Sequence, residues 1–164
     1  MKNTNDKSAL PQRRSPRSPV HDYFLPGAYY VTICLHDRRP FLQNATLQDI
    51  LETTWQELPQ RFPGIILDEF VVMPDHVHFI LWLTSDSREG LTVSDVVGAY
   101  KSITAKAALS FLRSKGYSYR SQFWQRSFND RVLRNEKEVE QKREYIRNNP
   151  MKARLKESGW DNLQ

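Results

Sequence analysis

Residues 65–83 read IILDEFVVMPDHVHFILWL, and this stretch constrains the fold more tightly than any other. Two runs rich in β-branched and aromatic residues, Ile65 to Met73 and His76 to Leu83, flank the tight turn signal Met73-Pro74-Asp75. Two such runs joined by so short a turn form an antiparallel hairpin. Side chains alternate along a strand, so Val77, Phe79 and Leu81 face one side and His76 and His78 the other. The first set suits a core. The second puts two imidazoles side by side on one sheet face.

The flanking elements follow from periodicity. Ala28 to Leu35, AYYVTICL, reads as a strand. Thr46 to Leu58 reads as a helix, with Leu47, Ile50, Leu51, Trp55 and Leu58 at helical spacing, Thr46 as its cap, and Pro59 and Pro63 breaking the chain. Leu91 to Leu112 reads as a long helix capped by Thr92 or Ser94 and ended by Gly116, with Val93, Val96, Val97, Tyr100, Ile103, Ala107 and Phe111 on its apolar face. Phe123 to Leu133 is strand-like. Asn135 caps a last helix with Glu138 as a capping-box partner, and Pro150 stops it. The order β-α-β-β-α-β-α predicts an α+β fold, helices packed on one mainly antiparallel sheet.

At 164 residues the chain suits one domain with a real core. Residues 1–20 are polar, rich in proline and serine, and basic through Lys2, Lys7, Arg13, Arg14 and Arg17, which predicts a flexible tail ahead of a single domain over 21–164 with a short C-terminal tail. The net charge of +5 favours a polyanionic partner, with nucleic acid ahead of a membrane surface. A lone cysteine, Cys34, excludes an internal disulfide and fits a reducing cytoplasm; its apolar surroundings predict a small buried side chain. No run approaches the length needed to span a bilayer, and no secretory signal is evident.

Three features carry chemistry. His76 and His78 can bite a divalent metal from one sheet face, although His-x-His pairs also form ordinary hydrogen bonds. Tyr145 and Asn149 in YIRNNP stand four apart, neighbours on one face of a helix, where a phenol can act as nucleophile and an amide oxygen as a third ligand. A core-edge tyrosine and a helix-terminal asparagine would look the same. Between Arg113 and Arg134 the basic residues Arg113, Lys115, Arg120, Arg126, Arg131 and Arg134 alternate with Tyr117, Tyr119, Phe123, Trp124 and Phe128. Cations for phosphates interleaved with rings for unpaired bases suit single-stranded or hairpin nucleic acid. Some of these rings are also expected in the core.

A His-hydrophobic-His strand after a Met-Pro-x turn, then FWQRSFNDR, then YIRNNP, resembles the REP-associated tyrosine transposases, a single-tyrosine branch of the HUH endonucleases. The likeness runs from about Tyr23 to Leu155 and includes LPGAYYVT at the first strand. It implies a ferredoxin-like HUH architecture and an enzyme that cuts and rejoins single-stranded DNA near hairpins of repetitive extragenic palindromes. It carries the metal ligands onto His76 and His78, the nucleophile onto Tyr145 and the third ligand onto Asn149. It implies a bacterial, cytoplasmic and nucleoid-associated protein, expected as a monomer with a dimer open. Two places depart from the family pattern: Asp75 stands where Asn is usual, and Met151-Lys152-Ala153-Arg154-Leu155 replaces a Val-Arg-Ala-Gly-Leu run.

The reaction so implied is transesterification through a 5′-phosphotyrosine, with Mg²⁺ or Mn²⁺ as cofactor and the tighter binding expected for Mn²⁺. Lys142, three residues before Tyr145, could favour the phenolate but is expected as a surface lysine; Asp75 could orient a histidine through its second nitrogen but is expected to cap the turn. The alternatives are a hairpin-binding protein with a vestigial site, a replication initiator or relaxase of the HUH class, and a histidine phosphohydrolase unrelated to DNA. Persistence of DNA binding in EDTA without any cleavage separates the first from a nicking enzyme.

Overall fold

The computed structural model describes residues 25–118 and 122–149. Its elements are β1 (Gly27–Cys34), α1 (Ala45–Arg61), β2 (Ile65–Val72), β3 (His76–Leu83), α2 (Val93–Ser114), β4 (Asn129–Leu133) and α3 (Glu136–Arg147), with short 3-10 turns at His36–Arg38 and Phe41–Gln43. The strands form one antiparallel sheet in the order β2-β3-β1-β4. Two β-α-β crossovers interleaved in this way make the split βαβ, or ferredoxin-like, arrangement, to which α3 is added. The predicted α+β class and element order hold.

Alternation divides the side chains between two cores. Tyr29, Val31, Ile33, Val77, Phe79 and Leu81 join residues of α1 and α2 in the larger one. Ala28, Val71, Ile80 and Leu133 join Val139 and Ile146 of α3 in a smaller one on the opposite face. Among the described residues the sheet is therefore covered fully on one side and only in part on the other. The partly covered side is the one that carries His76 and His78.

Several boundaries differ from expectation. The cap of α1 is Asn44, not Thr46: the Asn44 side chain accepts a hydrogen bond from the Leu47 backbone. Pro59 does not break α1, which runs on to Arg61. Proline removes one N–H near the helix end, and the burial of Trp55 and Leu58 holds the last turns in place. Thr92 caps α2 with a full capping box to Asp95. Asn135 caps α3 by accepting from the Glu138 backbone, but the Glu138 carboxylate turns to the Arg134 N–H, so the box is half formed. The strand expected over 123–133 is only Asn129–Leu133. Upstream, Trp124 makes a single bridge to Leu35, and the carbonyls of Gln125 and Arg126 are taken by the ammonium of Lys101 at 2.7 and 3.0 Å instead of by a neighbouring strand. The basic tail at 1–20 and the stretch Met151 to Leu155 lie outside the described residues.

Candidate metal and nucleophile site

The sheet register builds the site. Thr32 lies opposite His78, Cys34 opposite His76 and Tyr30 opposite Ile80, so Tyr30 and Thr32 flank His78 on the partly covered face. The two imidazoles meet through their Nε2 atoms, 2.9 Å apart. Each is held from behind through Nδ1. His76 Nδ1 lies 2.5 Å from Asp75 Oδ1. His78 Nδ1 lies 2.8 Å from Thr32 Oγ1 and 2.9 Å from Tyr30 Oη. Asp75 is held in turn by Arg38, whose Nε is 2.8 Å from Oδ2 and whose Nη1 also reaches the Cys34 sulfur. Arg38 and its neighbour Asp37 adopt left-handed backbone conformations, φ +53° and +61°. A non-glycine residue there is uncommon and costs of order 1–3 kcal/mol, so the surrounding contacts must hold it.

The protonation of this pair is constrained. Burial, then the neighbouring charges of His76, Lys142 and Arg38, push His78 down to about 4, so it is neutral near pH 7. Burial, only partly offset by a hydrogen bond with Thr32, pushes the Tyr30 phenol up to about 12, so it stays protonated. With an Nδ1–H on His76 donating to the Asp75 carboxylate, His76 Nε2 is a lone pair. An Nδ1–H on His78 donating to Thr32 or Tyr30 leaves a second lone pair facing the first. In this tautomer the two lone pairs face each other with room for a cation between them; with the proton on one Nε2 instead, the contact is an ordinary hydrogen bond. Imidazole–metal bonds of about 2.0–2.1 Å at a right angle separate their nitrogens by about 3 Å. The pair would fit a divalent ion, and each imidazole has the kind of outer-sphere partner that metal-binding histidines use. Among the described residues no cluster of three or more His, Cys, Asp or Glu that could hold a metal ion is present.

Tyr145 is brought to this pair from α3. Its ring stands edge-on to His78 with centroids 5.7 Å apart, and 51% of the residue is exposed. The helix is fixed by Val139 and Ile146 in the smaller core and by ion pairs to the outer strand. Arg143 grips Asp68 through Nε at 3.0 Å and Nη2 at 2.8 Å, and the Trp82 indole donates to the same carboxylate at 2.8 Å. Arg147 Nε is 2.6 Å from Glu69 Oε1. Asp68 and Glu69 fall in a register shift between Leu67 and Phe70 of β2, where one strand slips against the other. Asn149 is not on the helix: α3 ends at Arg147, Asn148 is its C-cap, and Asn149 follows, half-buried.

The other sequence candidates scatter. Arg131 is exposed and opposite Tyr30, with Asn129 opposite Thr32, so both belong to the histidine face of the edge strand. Arg126 is exposed just after the Phe123–Gln125 segment, which runs beside Cys34 and His36. Arg113 and Lys115 are exposed at the C-terminal end of α2, and Arg134 is exposed after β4. Arg120 lies outside the described residues. Trp124 is no stacking platform: it is 4% exposed and its indole donates to Thr104 within the larger core. Sequence reasoning missed Tyr30, Thr32 and Arg38. The alternation of AYYVTICL, which sets Tyr30 and Thr32 apart from Tyr29, Val31 and Ile33, was a signal for the first two.

The fold is shared with transposases of known structure. A REP-associated tyrosine transposase bound to a REP hairpin superposes with a TM-score of 0.58 at 24% identity, over 84% of this chain and 74% of that one. A candidate transposase from Deinococcus radiodurans R1 superposes with a TM-score of 0.54 at 21% identity, over 80% and 97%. The chain belongs to the IS200-like transposase family, whose family model matches residues 26–149. Two Haemophilus influenzae proteins are similar in sequence. One, uncharacterized, is 27% identical over 90% of this chain and 93% of its own. The other, named as a candidate REP-associated tyrosine transposase, is 22% identical over 80% of this chain and 74% of its own.

Proposed function

We propose that this transposase nicks and rejoins single-stranded DNA beside REP-type hairpins, with Tyr145 as nucleophile. The observation that carries the reading is the convergence of two imidazole Nε2 atoms with an exposed tyrosine on one sheet face. The similarity to a REP-associated transposase seen on a REP hairpin supports the choice of DNA.

In this reading the Tyr145 oxygen forms a bond to phosphorus and the bond from phosphorus to the 3′-oxygen breaks. The phenolic proton leaves to solvent and the 3′-oxygen takes one up. The product is a 5′-phosphotyrosine with a free 3′-hydroxyl, and the retained phosphoester lets the strand be resealed without a nucleotide cofactor. His76 and His78 would hold a divalent ion, with Asn149 as the third donor. Its charge would polarise the phosphate and stabilise the transition state. Asp75 fixes the tautomer and ring orientation of His76, and Thr32 and Tyr30 do so for His78. Arg131, on the histidine face of β4, holds a DNA phosphate beside the site.

The test is incubation of the full chain with a REP-type hairpin oligonucleotide bearing single-stranded flanks, with Mn²⁺ or EDTA. Cleavage in Mn²⁺ that disappears in EDTA and in Tyr145→Phe is expected. Hairpin binding with no cleavage under any metal would instead establish a non-cleaving hairpin-binding protein.

A further inference from the structure

Lys142 stands one helical turn before Tyr145, and its surroundings are unusual for a surface lysine. Its Nζ lies over the Tyr30 ring, 4.5 Å from the centroid, and 5.6 Å from the centroid of Tyr145. The residue is half-buried. Its ordinary helix partner would be Glu138, four residues earlier, but that carboxylate accepts from the Arg134 N–H and lies 3.6 Å from Arg131. Glu136 and Glu140 are engaged with Arg143 and Arg147. Among the described residues no carboxylate pairs with Lys142. The ammonium is held instead by two aromatic faces, which attract a cation without neutralising it.

An unneutralised cation fixed between the proposed nucleophile and the hydroxyl-bearing partner of His78 is placed to meet an anion. We propose that Lys142 is a catalytic residue of the nicking reaction, stabilising the charge that develops on the Tyr145 oxygen and the attacked phosphate. The proposal rests on the nicking reading above. The Tyr30 ring acts as the platform that keeps the ammonium at the site, so Tyr30 serves both His78, through its hydroxyl, and Lys142, through its π face. Fixed charges aimed at charge formed only in the transition state accelerate the chemical step and leave ground-state binding largely unchanged.

The test uses the full chain, a hairpin oligonucleotide, saturating Mn²⁺ and fixed ionic strength. Lys142→Met keeps an aliphatic stem over Tyr30 and deletes the charge; Lys142→Arg keeps the charge. The expected result is a fall in kcat of roughly 10- to 100-fold in Lys142→Met with KM changed by less than about threefold, and substantial recovery in Lys142→Arg. In a Tyr145→Phe background, Lys142→Met should leave the hairpin Kd within about twofold. Wild-type rates in Lys142→Met overturn the proposal. So does a loss confined to KM or Kd, which would make Lys142 a DNA-binding residue only. Loss without recovery in Lys142→Arg also overturns it, because charge is then not what matters. Failure of the wild type to cleave, or cleavage by Tyr145→Phe, sinks the nicking reading itself and is told apart by those controls.

Discussion

At the scale of single residues, the site depends on what holds the far nitrogens of its histidines. Asp75 was expected to serve the turn, and its backbone does: the Asp75 carbonyl accepts from the Leu35 N–H at 2.8 Å. Its side chain also holds His76, the reading the sequence placed second, because sequence does not say which way a turn carboxylate points. Removing that acceptor with Asp75→Ala should weaken Mn²⁺ binding by about 10- to 100-fold in calorimetry, whereas Asp75→Asn, which keeps an oxygen acceptor, should lose much less. Equal losses would show that the carboxylate charge, not the hydrogen bond, sustains the site. His78 gives a pH signature in metal-free protein. Its folded value of about 4 lies below the unfolded value of 6.5, so between these the unfolded chain takes up a proton that the folded chain refuses. Stability in EDTA should therefore fall as pH drops from about 6.5 toward 4, more steeply than in His78→Gln. Parallel curves would contradict a buried neutral His78. The histidine pair itself was legible because a strand's period of two needs no tertiary information. The spacing of Lys142 from Tyr145 was legible too, but its half-buried place over Tyr30 was not, because that depends on how α3 docks.

At the scale of elements, α3 decides whether the site exists. Its packing on β2, β3 and β4 brings Tyr145 to His78, and its firmest polar tie is Arg143 to Asp68. Burial pushes the Asp68 carboxyl up, but hydrogen bonds from Arg143 and Trp82 outweigh this and hold it below its ordinary value. Asp68→Ala should cost about 2 kcal/mol in chemical denaturation, the scale of a lost hydrogen bond to a charged group. Amide hydrogen exchange should rise in α3 with little change in α1 and α2. Unchanged protection of α3 would show that its apolar contacts suffice. The helix and its Asn135 cap were legible from the sequence, as were the hairpin and the long helix after it. The tie to β2 was not, since a register shift within a strand leaves no mark in the alternation of so short a segment. The basic-aromatic segment misled in part for a related reason: Phe123 and Trp124 have the composition of a contact surface and the burial of a core. Only the fold tells these apart.

At the scale of the whole molecule, two helices seal one face of the sheet and leave the other to α3 and the histidines. That division follows from the alternation in β1 and β3, which sends long apolar side chains one way and Tyr30, Thr32, His76 and His78 the other. Arg131 borders the open face from the edge strand. If DNA crosses this face, Arg131→Ala should weaken hairpin binding and lower the slope of log Kd against log salt by about 0.7–0.9. An unchanged slope would place the DNA elsewhere. No helix among the described residues is long and apolar enough to cross a membrane.

The most direct test of the central claim is the covalent intermediate. The protein is incubated with a REP-type hairpin oligonucleotide and Mn²⁺, denatured, digested with nuclease and protease, and the modified peptide is sequenced by mass spectrometry. The account predicts a nucleotide adduct on Tyr145 through a 5′-phosphate, absent in EDTA and absent in Tyr145→Phe. Efficient cleavage with no adduct, or with the adduct on another residue, would contradict it.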